Sequence, residues 1–513
     1  MCFRFPVRPA LVATLALALA GLLPAQPAPA APSPSAPAAP VTLRDLVLDA
    51  LRANLEIQAR RLDPQIQDSR LLTAWGAFDP VLSLSALREQ SERAQNQRDF
   101  LSSGSIRIFK ETNTRESIGL AGRVPNGLTY ELEVNHAKLD NTLNRQFLSL
   151  FHPEYQSVAT LRLTQPLLRD FGTEVGLAEV RLTENARRVS AHEFRAAVLK
   201  IVGQVMAAYF EAVFAQENVR VKEQAIALAQ DLVRENTRRV EEGRMSPIDI
   251  TQAQARLAEA REERILAASF LGQRRNTLRE LTKADFDSRA PVMTFAGGDV
   301  TLPVPALDRD TLTGETLGRN PSYLSAIEQA KAEDIRVAYA KNQRWPRVDL
   351  KATLGDNGLG SDFGDSLDDF SDRDHPDWSA GLVISIPLTG RAAAGRLAEA
   401  RHRKTQAALN LKRTEVILLS ALDTAVRDIE AAQERLALVK DSVRLAESAL
   451  DAEQRRLASG TTTSYNVLTL QRDLSQARSR ELATVVDLNK AVATLWLVQG
   501  VLAEKMDIVI AVE

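Results

Sequence analysis

The chain has 513 residues, 45% of them hydrophobic, and a formal charge of -2. That balance gives no sign of a nucleic-acid partner. Aromatic residues make up only 5%, and Ala, Leu, Arg, Glu and Gln fill long stretches, a mixture that reads as extended, surface-rich helix rather than an enzyme core.

In chain order, residues 1–30 read as a secretory signal peptide. Arg4 and Arg8 form its positive end and Leu11 to Leu23 a short apolar run; Ala28-Pro29-Ala30 is a small-residue cleavage site, with cleavage after Ala25 the alternative. No later segment reads as the roughly 20 apolar residues of a membrane helix. Cys2 is the only cysteine and precedes the apolar run, so cleavage leaves no thiol for a disulfide or a metal. Residues 31–41 form a Pro/Ala-rich linker.

A helical stretch, Leu43–Trp75, follows and then meets Pro80, where the period changes to two: Val81-Leu82-Ser83-Leu84-Ser85-Ala86 alternates apolar with small or polar residues. A second alternating pair lies around Ser117–Arg123 and Leu128–Ala137, turned by Pro125-Asn126-Gly127, and a return strand covers Val158–Pro166. Alternation gives strands with two different faces, suited to a soluble sheet or to a membrane barrel. Next comes a helix over 174–240, about 67 residues and on the order of 100 Å. Gly243 ends it, and a shorter helix returns over Pro247–Leu281, with Ser246 as N-cap. Residues 290–311 are rich in Pro, Gly and Val, including Gly297-Gly298, and read as a boundary of loop or short strand.

The pattern then repeats. Leu46, Leu51, Asn54 and Pro80 align without a gap with Leu312, Leu317, Asn320 and Pro346. The second copy has a helix over Leu312–Arg344, strands over Val348–Leu354 and Ser379–Pro387, a long helix over 392–458, a turn at Gly460 and a returning helix over Tyr465–Val498. Its apolar seam steps by four and three through Leu418, Leu422, Ala425, Ile429, Ala432, Leu436, Val439, Val443, Ala446, Leu450 and Leu457, the spacing of a coiled coil. The first copy carries the same phase at Ile201, Val205, Ala208, Ala212, Ala215, Val219, Ile226, Ala229, Val233 and Val240.

These features together resemble the TolC family of outer-membrane efflux proteins. The resemblance rests on the tandem halves, Phe78-Asp79-Pro80-Val81-Leu82 entering the first strand, Thr164-Gln165-Pro166-Leu167-Leu168-Arg169-Asp170-Phe171-Gly172 leaving its partner, and the hairpin runs 242–250 and 459–467. It implies a mainly α fold with a transmembrane β-barrel portion: a duplicated helix–strand–helix protomer whose homotrimer builds a coiled-coil α-barrel and a β-barrel. The expected divisions are a first repeat over 42–289 (barrel strands about 80–166, hairpin 174–283), an equatorial linker over 290–311, a second repeat over 312–498 (barrel strands about 347–387, hairpin 392–498) and an equatorial tail over 499–513. The implied role is the outer-membrane exit duct of an efflux or type I secretion system, with helices in the periplasm. Its implied partners are a periplasmic adaptor, an inner-membrane pump and outer-membrane lipid. The insert between the first strands leaves the strand count open, as a further barrel hairpin or a longer external loop.

Chemistry is sparse. His136, His152, His192, His375 and His402 lack mutual ligand spacing, and no phosphate loop, nucleophile elbow or metalloprotease motif occurs, so neither an enzyme nor a cofactor is expected. The aspartate-rich segment Asp356–Asp377 matches no calcium loop and reads as a solvated external loop. Trp378, Phe370, Phe147, Phe151 and Tyr155 flank strands, as an interfacial girdle or as loop packing. The candidate site is the pair of hairpin tips: Arg239, Gly243, Arg244, Met245, Ser246 and Asp249 on one, and Arg456, Gly460, Thr461, Thr462, Thr463 and Asn466 on the other. Arg–acid contacts there are expected to hold a resting tunnel closed until an adaptor docks; family hairpins usually carry Asp in both copies, so Asn466 is a departure. The alternative architecture, a periplasmic coiled-coil adaptor without a barrel, would ordinarily have a single helical hairpin, which the duplication disfavours.

Overall fold

A computed structural model describes residues 40–146, 149–287, 291–296, 301–372 and 375–508. The signal region, Phe147 and Gly297-Gly298 lie outside them. The first half runs α1 (Leu43–Ala53), α2 (Leu55–Trp75), β1 (Val81–Ala94), α3 (Gln97–Ser102), β2 (Ile108–Arg123), β3 (Thr129–Asn141), β4 (Glu154–Pro166), α4 (Thr173–Gly176), α5 (Ala178–Glu241) and α6 (Pro247–Thr282). The second runs α7 (Arg309–Arg319), α8 (Pro321–Asn342), β5 (Arg347–Gly360), α9 (Phe363–Asp372), β6 (Pro376–Ser385), α10 (Arg391–Ala458), α11 (Ser464–Gln499) and α12 (Leu502–Lys505).

The leading stretch of each half is two helices rather than the continuous helix the sequence suggested. The break falls at the aligned pair Asn54 and Asn320, and one device explains both. Each side chain caps the next helix, Asn54 Oδ1 accepting from Ile57 N at 3.1 Å and Asn320 Oδ1 from Tyr323 N at 3.1 Å. Each amide also donates to the end of a returning helix, at Leu281 O and Val498 O, both at 2.9 Å. The apolar phase carries on across the break, which hides it from a periodicity reading.

The main core surrounds this junction. Val198, Val202, Val205, Met206 and Phe210 of α5 are buried among Leu46 and Ala50 of α1, Leu278 of α6, and Val492 and Leu495 of α11. The linker joins it: Val41 bridges Phe295, whose backbone is held by both polar atoms of Gln216. Burial alone would penalise the charge on Glu211, but hydrogen bonds from Lys490 and Arg274 outweigh it and keep that carboxyl below its ordinary range. One carboxylate thus ties α5, α6 and α11.

The heptad seam packs as read in α10, where Leu418, Leu422, Ala425, Ile429, Ala432, Val443, Leu450 and Leu457 are buried. In α5 the seam residues Ile201, Val205, Ala208, Ala212, Ala215 and Ala229 are buried. Contrary to the sequence reading, α5 contains an 18-residue window of mean hydropathy 1.5, apolar enough by length and composition to cross a membrane. Its apolar surface is used in the core, with 61% of that window buried.

The strands form one antiparallel meander in the order β1-β2-β3-β4-β5-β6. The insert of the first half is therefore the β2–β3 hairpin, in full register between β1 and β4. One row crosses all six strands as Leu82, Leu120, Leu132, Leu161, Leu354 and Trp378. The neighbouring row, on the opposite face, reads Ser83, Gly119, Glu133, Thr160, Gly355 and Asp377. One face is thus apolar and largely open, and the other is polar.

The acidic segment is not a solvated loop throughout. Asp356 lies inside β5, and Phe363–Asp372 forms α9, whose Phe363 meets His136 edge-on at 4.4 Å. Ser366 is fully buried and its hydroxyl is 3.0 Å from that of Ser157. A side chain at Gly358 would collide with the backbone of Ser366 and Phe370, so glycine there admits the helix. The aspartates hold the solvent side while Phe363, Leu367 and Phe370 turn towards the sheet around an apolar groove of about 510 Å³. Of the flanking aromatics, Trp378 stands exposed in the apolar row, whereas Tyr155 stacks on His136.

Candidate functional site: the two hairpin tips

Both tips turn on a glycine in the left-handed region, Gly243 at φ +71 and Gly460 at φ +76. The same bonds close each turn: Gly243 N donates to Val240 O at 2.9 Å and Arg244 N to Arg239 O at 2.8 Å, while Gly460 N donates to Leu457 O at 3.1 Å and Thr461 N to Arg456 O at 3.0 Å. The side chains differ.

At the first tip, Ser246 and Asp249 form a reciprocal capping box at the start of α6, with Ser246 N donating to Asp249 Oδ2 at 3.2 Å. Pro247 occupies the first helical position, where no N–H is needed. Asp249 is therefore engaged by its own helix end, and Arg244 pairs instead with Glu242 at 3.4 Å while 77% exposed. Arg239 is only 16% exposed; its Nε donates to Glu235 at 2.7 Å and its Nη1 reaches Leu457 O at 2.5 Å. A cation thus sits on the carboxyl end of α10, where the helix dipole favours it. The Arg239 hydrogen bond, opposed by burial and aided by Arg238, holds the Glu235 carboxyl below its ordinary range. Met245 packs against the small core of this end, which includes Leu232, Leu457 and Val467.

At the second tip, Thr463 is the N-cap of α11 but its side chain makes no capping bond. Asn466, aligned with Asp249, turns to Thr462 and donates to its hydroxyl at 3.1 Å. Thr462 itself donates to Glu453, which also pairs with Arg456 at 3.4 Å. Thr461 bonds back to Arg456 O at 3.1 Å, and Arg456 is 70% exposed.

One residue escaped the sequence reading. Asn236 is completely buried, its amide donating to Asp249 O at 3.1 Å and its oxygen accepting from Ser464 at 3.3 Å, so it joins α5, α6 and α11. Its signal was present, since it holds the polar seam position between Val233 and Val240. Glu453 holds the matching position of the second copy.

A duplicated hairpin with strands between its helices is shared with known proteins. A family model described as "Outer membrane efflux protein" matches residues 118–283 and 312–501, one segment in each half. The chain belongs to the outer membrane efflux protein family. That is a family of channels and transporters, and its members act in the outer membrane. The efflux protein is 25% identical to the outer membrane protein TolC of Vibrio cholerae over 324 residues, covering 61% of this chain and 72% of that one. It is 23% identical over 324 residues to the cobalt-zinc-cadmium resistance protein CzcC of Cupriavidus metallidurans, covering 63% and 73%. Among solved structures, the CmeC outer membrane channel of Campylobacter jejuni superposes with a TM-score of 0.63 at 15% identity, covering 89% of this chain and 85% of that one.

Proposed function

We propose that this efflux protein is the passive exit duct of a tripartite efflux or type I secretion assembly. It works as a homotrimer, receiving cargo from a periplasmic adaptor and an inner-membrane pump. The observation that carries the reading is the open apolar row across all six strands, backed by a polar face. Lipid is the natural cover for one side and an aqueous lumen for the other. A periplasmic adaptor gives no account of such a row.

Two further features support assembly with copies of itself. Ile417, Leu438 and Leu445 remain exposed on α10 at multiples of a heptad, with Leu409 and Val416 one heptad apart on the neighbouring stripe, and Ile265 and Leu266 are exposed on α6. β1 and β6 each pair on one side only. The sequence has no nucleotide-binding motif, so the driving energy is assigned to the pump. The tips, with Arg244 and Arg456 exposed, are the surface that meets the adaptor and narrows the resting mouth.

The test is expression with the native N-terminal segment in a Gram-negative host, followed by fractionation and native mass measurement. A trimer extracted from the outer membrane is expected. A soluble periplasmic monomer would overturn the duct reading in favour of the adaptor.

A further inference from the structure

The second half joins β5 directly to β6 through α9, whereas the first half inserts a complete hairpin, β2–β3, between β1 and β4. The repeated unit alone accounts for four strands per protomer; the described residues form six. The excess hairpin meets the requirements of a barrel wall on both faces. Its apolar side continues the lipid row through Leu120 and Ile118 on β2 and Leu132 and Val134 on β3, all exposed. Its polar side is tied to both neighbours: Arg115 pairs with Glu89 of β1 at 3.0 Å, and Arg162 of β4 pairs with Glu133 at 3.4 Å and Glu131 at 3.7 Å. Ser85 and Ser117 bond across the β1–β2 seam at 2.7 Å.

The ends agree. The tight turn at Pro125-Asn126-Gly127 lies where β4 passes into the helices, with Gly172 N donating to Asn126 O at 3.1 Å. The longer connections, including α3 and α9, all lie at the other end. Short turns on the periplasmic side and long loops outside are the arrangement of an outer-membrane barrel. An external loop would have no reason to place its turn at the helical end.

We propose that β2–β3 is a wall segment of the assembled barrel, and that β1 of one protomer pairs with β6 of the next. Three six-stranded sheets then close eighteen strands, where the repeat alone would close twelve. This rests on the trimeric-duct reading above. Barrel diameter grows roughly in proportion to strand number, so the mouth is about one and a half times as wide as the shorter sheet would make it. The size limit of the duct is thereby left to the hairpin tips, and bulky cargo that passes them meets no second constriction set by strand count.

The test begins with a native mass in membrane mimetic, because absence of a trimer would defeat the duct reading itself and be visible as such. In confirmed trimers, single cysteines are placed in a Cys2→Ser background and reconstituted in liposomes. Ser117→Cys and Asn135→Cys are expected to react fully with a charged, membrane-impermeant thiol reagent, and Leu120→Cys and Leu132→Cys, in the apolar row away from α9, to lose that labelling. Electron-microscopic views down the trimer axis are expected to count eighteen strands. Equal labelling at all four positions, or twelve strands with the hairpin outside the wall, would overturn the proposal while leaving the trimer standing.

Discussion

The α5–α6 tip and the α10–α11 tip are copies of one unit and share a glycine turn with matching backbone bonds, yet they are fastened unequally. The first is locked from three directions: its own capping box, the buried Asn236, and Arg239 reaching to the carboxyl end of α10. The second shares two of these, since Ser464 donates to Asn236 and Arg239 reaches Leu457 O, but in place of the capping acid it has contacts among Thr461, Thr462, Asn466 and the largely buried Glu453. The difference teaches that a duplicated hairpin need not give two equivalent movable ends. Asn236 and Arg239 hold both ends together, the first tip adds the Asp249 cap, and we propose that the second is the freer element for a resting mouth to move.

Removing the strongest lock should break the contrast most. Arg239→Ala is expected to cost about 2–3 kcal/mol, as a charge-assisted hydrogen bond to a buried-side carbonyl and a partly shielded ion pair are lost together. Hydrogen exchange around residues 236–250 should rise to the level of the second tip; unchanged protection would show that Arg239 holds nothing. Asn236→Ala is expected to cost about 1–3 kcal/mol, because buried partners on α6 and α11 lose their bonds. Thermal unfolding in detergent reads that loss.

Exchanging the aligned residues sharpens the comparison with a smaller effect. Asp249→Asn should loosen the first tip, and Asn466→Asp should tighten the second by supplying an acid at the third position of α11, each by about 0.5–1 kcal/mol. Opposite shifts in local exchange are expected; shifts of one sign would mean the capping residue does not set the difference. Acid supplies a milder probe. Because Glu235 is held below its ordinary range, its contribution is present above its unfolded value, about 4.3, and is lost as pH falls through the lower folded value. The first tip should therefore gain exchange on acidification below about pH 4, with Glu235→Gln removing that response.

Local signals made much of this legible. The gap-free pairing of the leading segments of the two halves, the four-and-three seam and the two glycine turns located the long helices and the tips. What escaped was set by partners distant in sequence. Asn54 and Asn320 end helices because their amides reach α6 and α11, and no window around them contains those carbonyls. The turn at Pro125-Asn126-Gly127 was visible, but pairing with β1 and β4 decides that its hairpin is part of the sheet. The helix α9 lies within a run whose aspartates mask an apolar side at Phe363, Leu367 and Phe370. Asn236 interrupts an apolar seam, and its two partners lie 13 and 228 positions away.

The claim that the tips govern an otherwise open duct is tested most directly by conductance of purified trimers in planar bilayers. Arg244→Glu combined with Arg456→Glu reverses two exposed charges without touching Arg239, Asn236 or either capping residue. A raised resting conductance with unchanged trimer mass is the predicted result. Conductance equal to that of the unaltered protein would contradict the account.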